Sequence, residues 1–495
     1  MSAHLLAELL SPAGAVVLLP ILAAVLLALL PMAAVAAGVA AWVNIAAATA
    51  TFGAACLLPW EQHAGTLLLV DGLAAHMAIL TAFVAMTTSW FSLPYVAVEA
   101  AAGRLDVRRL RQYHALFQAF LAGMLMALLS NNLGVTWVAV EAATMAAVLV
   151  VGLPRTAEAV EASWKYFILC GVGISLAFFG TIILYLAALP AFAAGPEGAM
   201  AAMSWSALPA AAGHATAPLL NLAFVFLLIG YGTKAGLAPL HAWMPDAHAE
   251  GPTPVSAVLS GSILNVALFV ILRLRGVMAA NPEALAPGPP IMALGLLSLL
   301  LAAFSLWRRR DAKRFFAFST IEQSGVAAFA FGLGGPLATF AGLLHLTLHT
   351  LIKAAVFQCI GRACQLKGSQ LFADIGGLVA SHRALGLTLA AGIVAVAGLP
   401  PFGLFTSEFM IVTNAIHLRP LLALPLGLGL VVGAWALAWR LIGLCTGEPT
   451  PDRGPAPSLA ALAPAWLHLA VVAVLGLAMP ASLVAWFAAV AGGLR

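Results

Sequence analysis

One feature constrains this chain more than any other: apolar runs of about 20 residues succeed one another from end to end, with short polar connections between them. A helix of that length, rising about 1.5 Å per residue, crosses the roughly 30 Å hydrocarbon core of a bilayer. About 14 such runs are counted, near 14–30, 33–58, 71–93, 113–130, 132–152, 164–187, 218–237, 253–275, 289–307, 314–334, 338–361, 383–416, 421–444 and 463–487. Backbone groups in lipid must bond within the chain, which leaves a helical bundle or a closed barrel. Continuous apolar runs without strict alternation choose the bundle. Composition points the same way: of 495 residues, 63% are hydrophobic and 8% charged, where a soluble domain carries about a quarter charged. The expected fold is an all-α polytopic membrane protein of about 14 transmembrane helices.

Basic residues sort the connections into two kinds. Those after the third, ninth and eleventh runs hold Arg104, Arg108, Arg109 and Arg111, then Arg308, Arg309, Arg310, Lys313 and Arg314, then Arg362, Lys367 and Arg383. Those after even-numbered runs hold few, Arg275 and Arg419 being the main exceptions. The positive-inside rule then ends odd-numbered helices in the cytoplasm and puts both termini outside a cell inner membrane. A net charge of +4, spread this thinly, gives no nucleic-acid surface. The five cysteines (Cys56, Cys170, Cys359, Cys364, Cys445) form no CxxC pair, so no iron–sulfur, haem or zinc site follows. No cofactor is expected in this chain.

One stretch breaks the apolar pattern: GTKAGLAPLHAWMPDAH, residues 232–248. It holds Lys234, then Gly236 and Pro239, then His241 and His248. Downstream, Gly398, Pro400 and Pro401 precede Glu408 in a similar way. Each break puts glycine and proline inside an apolar run with one charge beside it. The seventh and twelfth runs cross in opposite directions, a pattern fitting two discontinuous helices of an inverted repeat; two ordinary proline kinks are the alternative.

Four charges fall deep in apolar runs: Glu141, Lys234, Lys353 and Glu408. Lys165 and Glu322 lie near the starts of two others. Each such charge costs about 2.5–3.5 kcal/mol on an insertion scale. Burial disfavours the charged form of either side chain, and a nearby opposite charge restores it. A buried Lys–Glu system can therefore exchange a proton when a neighbour moves; a static ion pair fixing helix packing is the other reading. His345, His349 and Lys353 follow at four-residue steps, so they share a helix face and can form a water-assisted relay. Zinc at this histidine pair is disfavoured, because the stretch has no HExxH motif and no carboxylate, and the lysine would repel the ion. Either histidine could instead be bonded within the core. His241 and His248 lie between prolines, where hydrogen bonding across the break competes with direct proton carriage.

TKAGLAPLHAWMPDAHAEGPTPVSAVLSG resembles the signature of the antiporter-like membrane subunits of respiratory complex I, Mrp antiporters and membrane-bound nickel–iron hydrogenases. NNLGVTWVAVEAATMAAVLVVGLPRTAEAVEASWKYFILCGVGI and GLPPFGLFTSEF resemble most closely the hydrogenase-4 component F branch. The resemblance covers roughly residues 70–440. It implies 14 core helices with two inverted five-helix repeats and discontinuous seventh and twelfth helices. The division it implies is 1–112 as an N-terminal three-helix segment, 113–275 and 289–444 as the repeats, and 445–495 as a polar linker and last transmembrane helix. It implies a proton path through Glu141, Lys234, His349, Lys353 and Glu408, to which His345 belongs by spacing. Lys165, His241, His248 and Glu322 stand as supporting positions. Where the family commonly has a lysine in its eighth helix, this chain has Asn265, whose amide cannot titrate and can only orient water. The implied role is a proton-translocating membrane subunit of a complex I-like or hydrogenase-4-like assembly. Its partners would be membrane lipid, other integral membrane subunits and a soluble redox module that carries out the oxidoreductase chemistry. An Mrp-type sodium/proton antiporter subunit, or a membrane subunit coupled to inorganic-carbon uptake, are the alternatives.

Overall fold

The computed structural model describes residues 3–494, with side chains from residue 6. Helices α1 (Ala3–Leu10), α2 (Pro12–Leu29), α3 (Met32–Ala36) and α4 (Val39–Ala55) open the chain. A short hairpin, β1 (His63–Ala64) against β2 (Leu69–Val70), follows with His63 opposite Val70. The Glu8 carboxylate accepts from the backbone N–H groups of Thr66, Leu67 and Leu68, tying α1 to this hairpin. Then come α5 (Gly72–Ala101), α6 (Val107–Leu129), α7 (Leu133–Val151) and α8 (Ala157–Ala188). Each starts at a side-chain cap: Asp71, Asp106, Asn132 and Thr156 accept from N–H groups of the first turn, which satisfies donors the helix itself leaves free.

Short helices α9 (Pro196–Ala202) and α10 (Leu208–Ala212) bridge to α11 (Ala217–Lys234), α12 (Met244–Glu250), α13 (Thr253–Val258) and α14 (Leu264–Ala279). A π-type turn at Leu259–Ile263 joins the last two. The remainder is α15 (Gly288–Leu306), α16 (Ala312–Leu333), α17 (Gly335–Lys367), α18 (Leu378–Ser381), α19 (Arg383–Val396), α20 (Gly403–Leu418), α21 (Pro420–Leu441), α22 (Leu459–Leu477) and α23 (Ala481–Gly493). Among the described residues, 12 helices are long and apolar enough to cross a membrane, or 13 if the bent α18–α19 pair is one span. The run at 383–416 is two helices, α19 and α20, and that at 463–487 is also two, α22 and α23. The latter parts at Ala478–Pro480, where proline denies the backbone a donor.

Burial locates the centre of the bundle. The most apolar window of Thr253–Ala279 is 100% buried and that of Gly335–Lys367 is 94% buried, against 28% for Pro420–Thr446. The first two therefore form the axis and α21 lies at the rim. Lipid supplies no hydrophobic drive between helices, so close approach of small residues must hold them. On α15 and α16, Gly288, Gly295, Gly325 and Gly332 each abut the partner's backbone.

Two spans are interrupted by the same device. α11 ends at Lys234, Gly236 takes φ 67°, and the N–H of Leu237 returns to the Gly232 carbonyl. α19 ends at Val396, Gly398 takes φ 65°, and the N–H of Leu399 returns to the Val394 carbonyl. This is the Schellman termination, in which glycine adopts a left-handed conformation that L side chains avoid. The sequence is AGLAP in one case and AGLPP in the other, with a proline three residues beyond each glycine. The first break is further secured by Trp243, which donates to the Thr233 carbonyl and stacks on Tyr166 at 4.3 Å.

Candidate functional site

Because α11 stops at Lys234, its last side chain is delivered to the middle of the bundle rather than to a surface. Lys234 is 1% exposed, and its ammonium donates to Thr144 Oγ1 at 2.7 Å and to Glu141 Oε2 at 3.3 Å, both on α7. Glu141 is 23% exposed and so reaches the edge of the bundle. The pair joins a buried cation to a carboxylate that still touches the outside.

The second cluster lies on α17 and the helices around it. Lys353 is 0% exposed and donates to the Phe316 carbonyl of α16 at 2.7 Å. Its ammonium lies 5.5 Å and 5.9 Å from the ring centres of Phe316 and Phe357, within cation–π range. Among the described residues no carboxylate lies within 4 Å of it. His345 and His349 are buried, with near-parallel rings 6.5 Å apart, and His345 Nδ1 bonds Ser407 Oγ of α20 at 3.1 Å.

Two acids complete this half. Glu322 of α16 is buried, and its carboxylate is seated against Gly433 of α21, where an added Cβ would collide with it. Glu408 of α20 is half-buried, and its carboxylate lies against Gly398 at the second break in the same fashion. Each acid thus occupies a notch that only glycine leaves open.

Asn265 of α14 is buried and donates from Nδ2 to Thr350 Oγ1 of α17 at 2.8 Å, one turn from Lys353. Several buried polar atoms of the interior have no protein partner: both ring nitrogens of His248, Ser262 Oγ, Ser319 Oγ, Gln323 Oε1, both polar atoms of Gln358, and Nε2 of His345 and His349. Buried polar groups are almost always hydrogen-bonded, and internal water is the usual remaining partner. The interior around α17 is therefore rich in polar groups rather than uniformly apolar.

Other positions singled out in the sequence lie elsewhere. Lys165 is exposed on α8, bridging Glu161 at 2.6 Å and Asp246 at 3.0 Å. Arg314 grips Asp246 and Glu250 from the other side, so α12 is clamped between α8 and α16. His241 is half-buried beside Phe318 and bonds neither lysine. Among the described residues no cluster of three His, Cys, Asp or Glu side chains could hold a metal ion. Three buried histidines escaped the sequence reading: His76, bonded to Thr347 at 2.8 Å; His468, bonded to Thr87 at 2.7 Å; and His114 on α6. Each is a lone histidine in an apolar stretch, which was the available signal.

A multi-pass helical bundle with broken spans and ionisable groups at its centre defines a class of membrane-embedded subunit, and the comparisons agree. The chain belongs to the NADH:quinone oxidoreductase/Mrp antiporter transmembrane family, whose profile matches residues 130–432. It is 47% identical over 476 residues to the hydrogenase-4 component F homolog of Methylacidiphilum infernorum, covering 96% of this chain and 98% of that one. In fold it is similar to a chain of the membrane-bound sulfane sulfur reductase, an archaeal respiratory membrane complex, with a TM-score of 0.84, 21% identity and 97% of each chain covered. A chain of the Mrp complex from Dietzia sp. aligns with a TM-score of 0.82 at 19% identity, again over 97% of each.

Proposed function

We propose that the chain is the proton-translocating membrane subunit of a multisubunit respiratory complex of the complex I or hydrogenase-4 kind. The observation that carries this reading is the pair of fully buried lysines, Lys234 and Lys353, in an interior that also holds buried histidines, acids and polar groups without protein partners. Ionisable groups at membrane depth are costly and mark ion pathways. The membership of the family and the likeness to subunits of multisubunit membrane complexes support the same reading.

In this scheme the arginine-rich end of the bundle faces the cytoplasm and both termini lie outside. Protons are taken up at that end, held in turn by Lys234, Lys353 and the histidines, and released near Glu408. Glu141 compensates the charge of Lys234 at 3.3 Å, so any motion that separates them changes the hold of the lysine on its proton. Asn265 can orient water but cannot carry the proton. The energy comes from a soluble redox module bound to neighbouring membrane subunits. Lys234→Ala and Glu408→Ala should each abolish coupled proton movement while the complex still assembles. Normal pumping in both variants would sink the proposal. The likeness to an Mrp complex chain favours sodium/proton antiport as a second reading; a sodium requirement for transport in proteoliposomes would select it.

A further inference from the structure

On α17, His345, His349, Lys353, Phe357, Gly361 and Gln365 follow one another at four-residue steps. Neighbours at that spacing form one ridge, each within reach of the next. The first three can hold a proton and Phe357 cannot, so the line of carriers stops there. Beyond it, Gly361 and Gln365 line a cavity of about 390 Å³ at the end of the bundle. Glu99, Arg104, Glu250 and Lys313 face the same cavity, so its walls are polar and charged. Thr253 packs against Gly361, where an added Cβ would collide with its side chain. The cavity therefore approaches Lys353 to within two helical turns and is separated from it by a phenylalanine.

His248 lies beside this gap. Its ring is stacked on Phe357, with centres 5.0 Å apart and planes 17° apart. It is 0% exposed, and neither ring nitrogen has a protein partner. It stands two residues before Glu250, a cavity residue, on the short helix α12. The Lys353 ammonium is 5.9 Å from the centre of the same Phe357 ring. A buried imidazole without a protein partner, stacked on the phenylalanine that separates a polar cavity from a buried amine, is suited to passing protons.

We infer that His248 carries protons around Phe357, from the cavity formed by α5, α12, α13, α16 and α17 to Lys353. The step balances as proton in, proton out. The neutral ring accepts a proton from water of the cavity on one nitrogen, and the imidazolium releases the proton of its other nitrogen to the neutral Lys353 amine. The ring is left neutral, and tautomer exchange through water resets it. This inference rests on the proton-translocation reading above.

The test is proton flux into proteoliposomes of the intact complex, driven by an imposed potassium diffusion potential. His248→Gln keeps a polar side chain of similar reach without a titratable proton, and flux should fall by ~100-fold, the low side of what a lost proton-transfer group costs. Adding Phe357→His in the same chain returns an imidazole to the ridge, and at least about half of the lost flux should come back, which a merely structural role would not allow. The native Cys364 lines the cavity, so a small charged thiol reagent should label it in the unaltered complex, located by peptide mass spectrometry. Unchanged flux in His248→Gln alongside lost flux in Lys353→Ala overturns the inference, as does failure of Phe357→His to restore flux, or an unlabelled Cys364. Unchanged flux in Lys353→Ala instead overturns the proton-translocation reading itself.

Discussion

Lys234 and Lys353 are both buried at the centre of the bundle, yet their surroundings differ in kind. Lys234 has a carboxylate at 3.3 Å and a hydroxyl at 2.7 Å. Lys353 has a backbone carbonyl at 2.7 Å and two aromatic rings, with no carboxylate in contact among the described residues. The first half of the molecule thus stores its charge as a pair. The second half spreads it over a lysine, two histidines and the acids Glu322 and Glu408, each acid seated against a glycine. A pair resists change until something parts it, because removing one member leaves the other uncompensated. A dispersed set can pass a proton along without stranding a charge. Under the proposed function, the paired half senses a displacement and the dispersed half conducts.

Exchanging each lysine for methionine tests this contrast most severely. Both Lys234→Met and Lys353→Met should lower proton flux roughly 100-fold or more, as expected for a lost proton-transfer group. Their thermal stabilities should diverge: Lys234→Met leaves Glu141 without its cation and lowers the melting midpoint of the purified complex. Lys353→Met removes an amine with no carboxylate in contact among the described residues, and the midpoint should fall less. Equal melting shifts would erase the distinction. Next in size is Glu141→Gln, which should destabilise the protein by about 3 kcal/mol, the low end for a broken buried pair, because Glu141 is 23% exposed. Chemical denaturation monitored by tryptophan fluorescence would measure it.

Gly433→Ala should follow at about 1–3 kcal/mol, the range for inserting a methyl group into a filled site, with slower flux because Glu322 must move. Gly427→Ala on the same helix has open space at its Cβ position and should leave flux unchanged; equal effects would mean that the notch has no role. Smallest is Thr350→Val, which removes the acceptor of Asn265 and should cost about 1 kcal/mol. Flux should drop only slightly if Asn265 merely orients water. A loss as large as that of Lys353→Met would promote Asn265 to an obligatory link between the halves.

The helical membrane fold was legible because apolar length alone decides it: about 20 residues without charge have one stable arrangement in lipid. Both chain breaks were also legible, since glycine and proline inside an apolar run mark a helix end wherever it folds. The buried charges stood out by their cost, and their residue types pointed to proton chemistry. Sequence spacing placed His345, His349 and Lys353 together because they share one helix. It could say nothing of Lys165 lying at the surface, since a charge near the start of a run reads alike whether it faces the interior or the rim.

The class of fold and the stock of ionisable groups follow from local properties of the chain. Which groups meet follows from packing. Glu141 and Lys234 are 93 residues apart, and Thr350 reaches Asn265 across 85. His248 meets Phe357 only because α12 folds back beneath the first break. Such contacts depend on how helices cross, which glycines let them approach, and where a broken span stops. Those are properties of packing, and no single run of residues contains them.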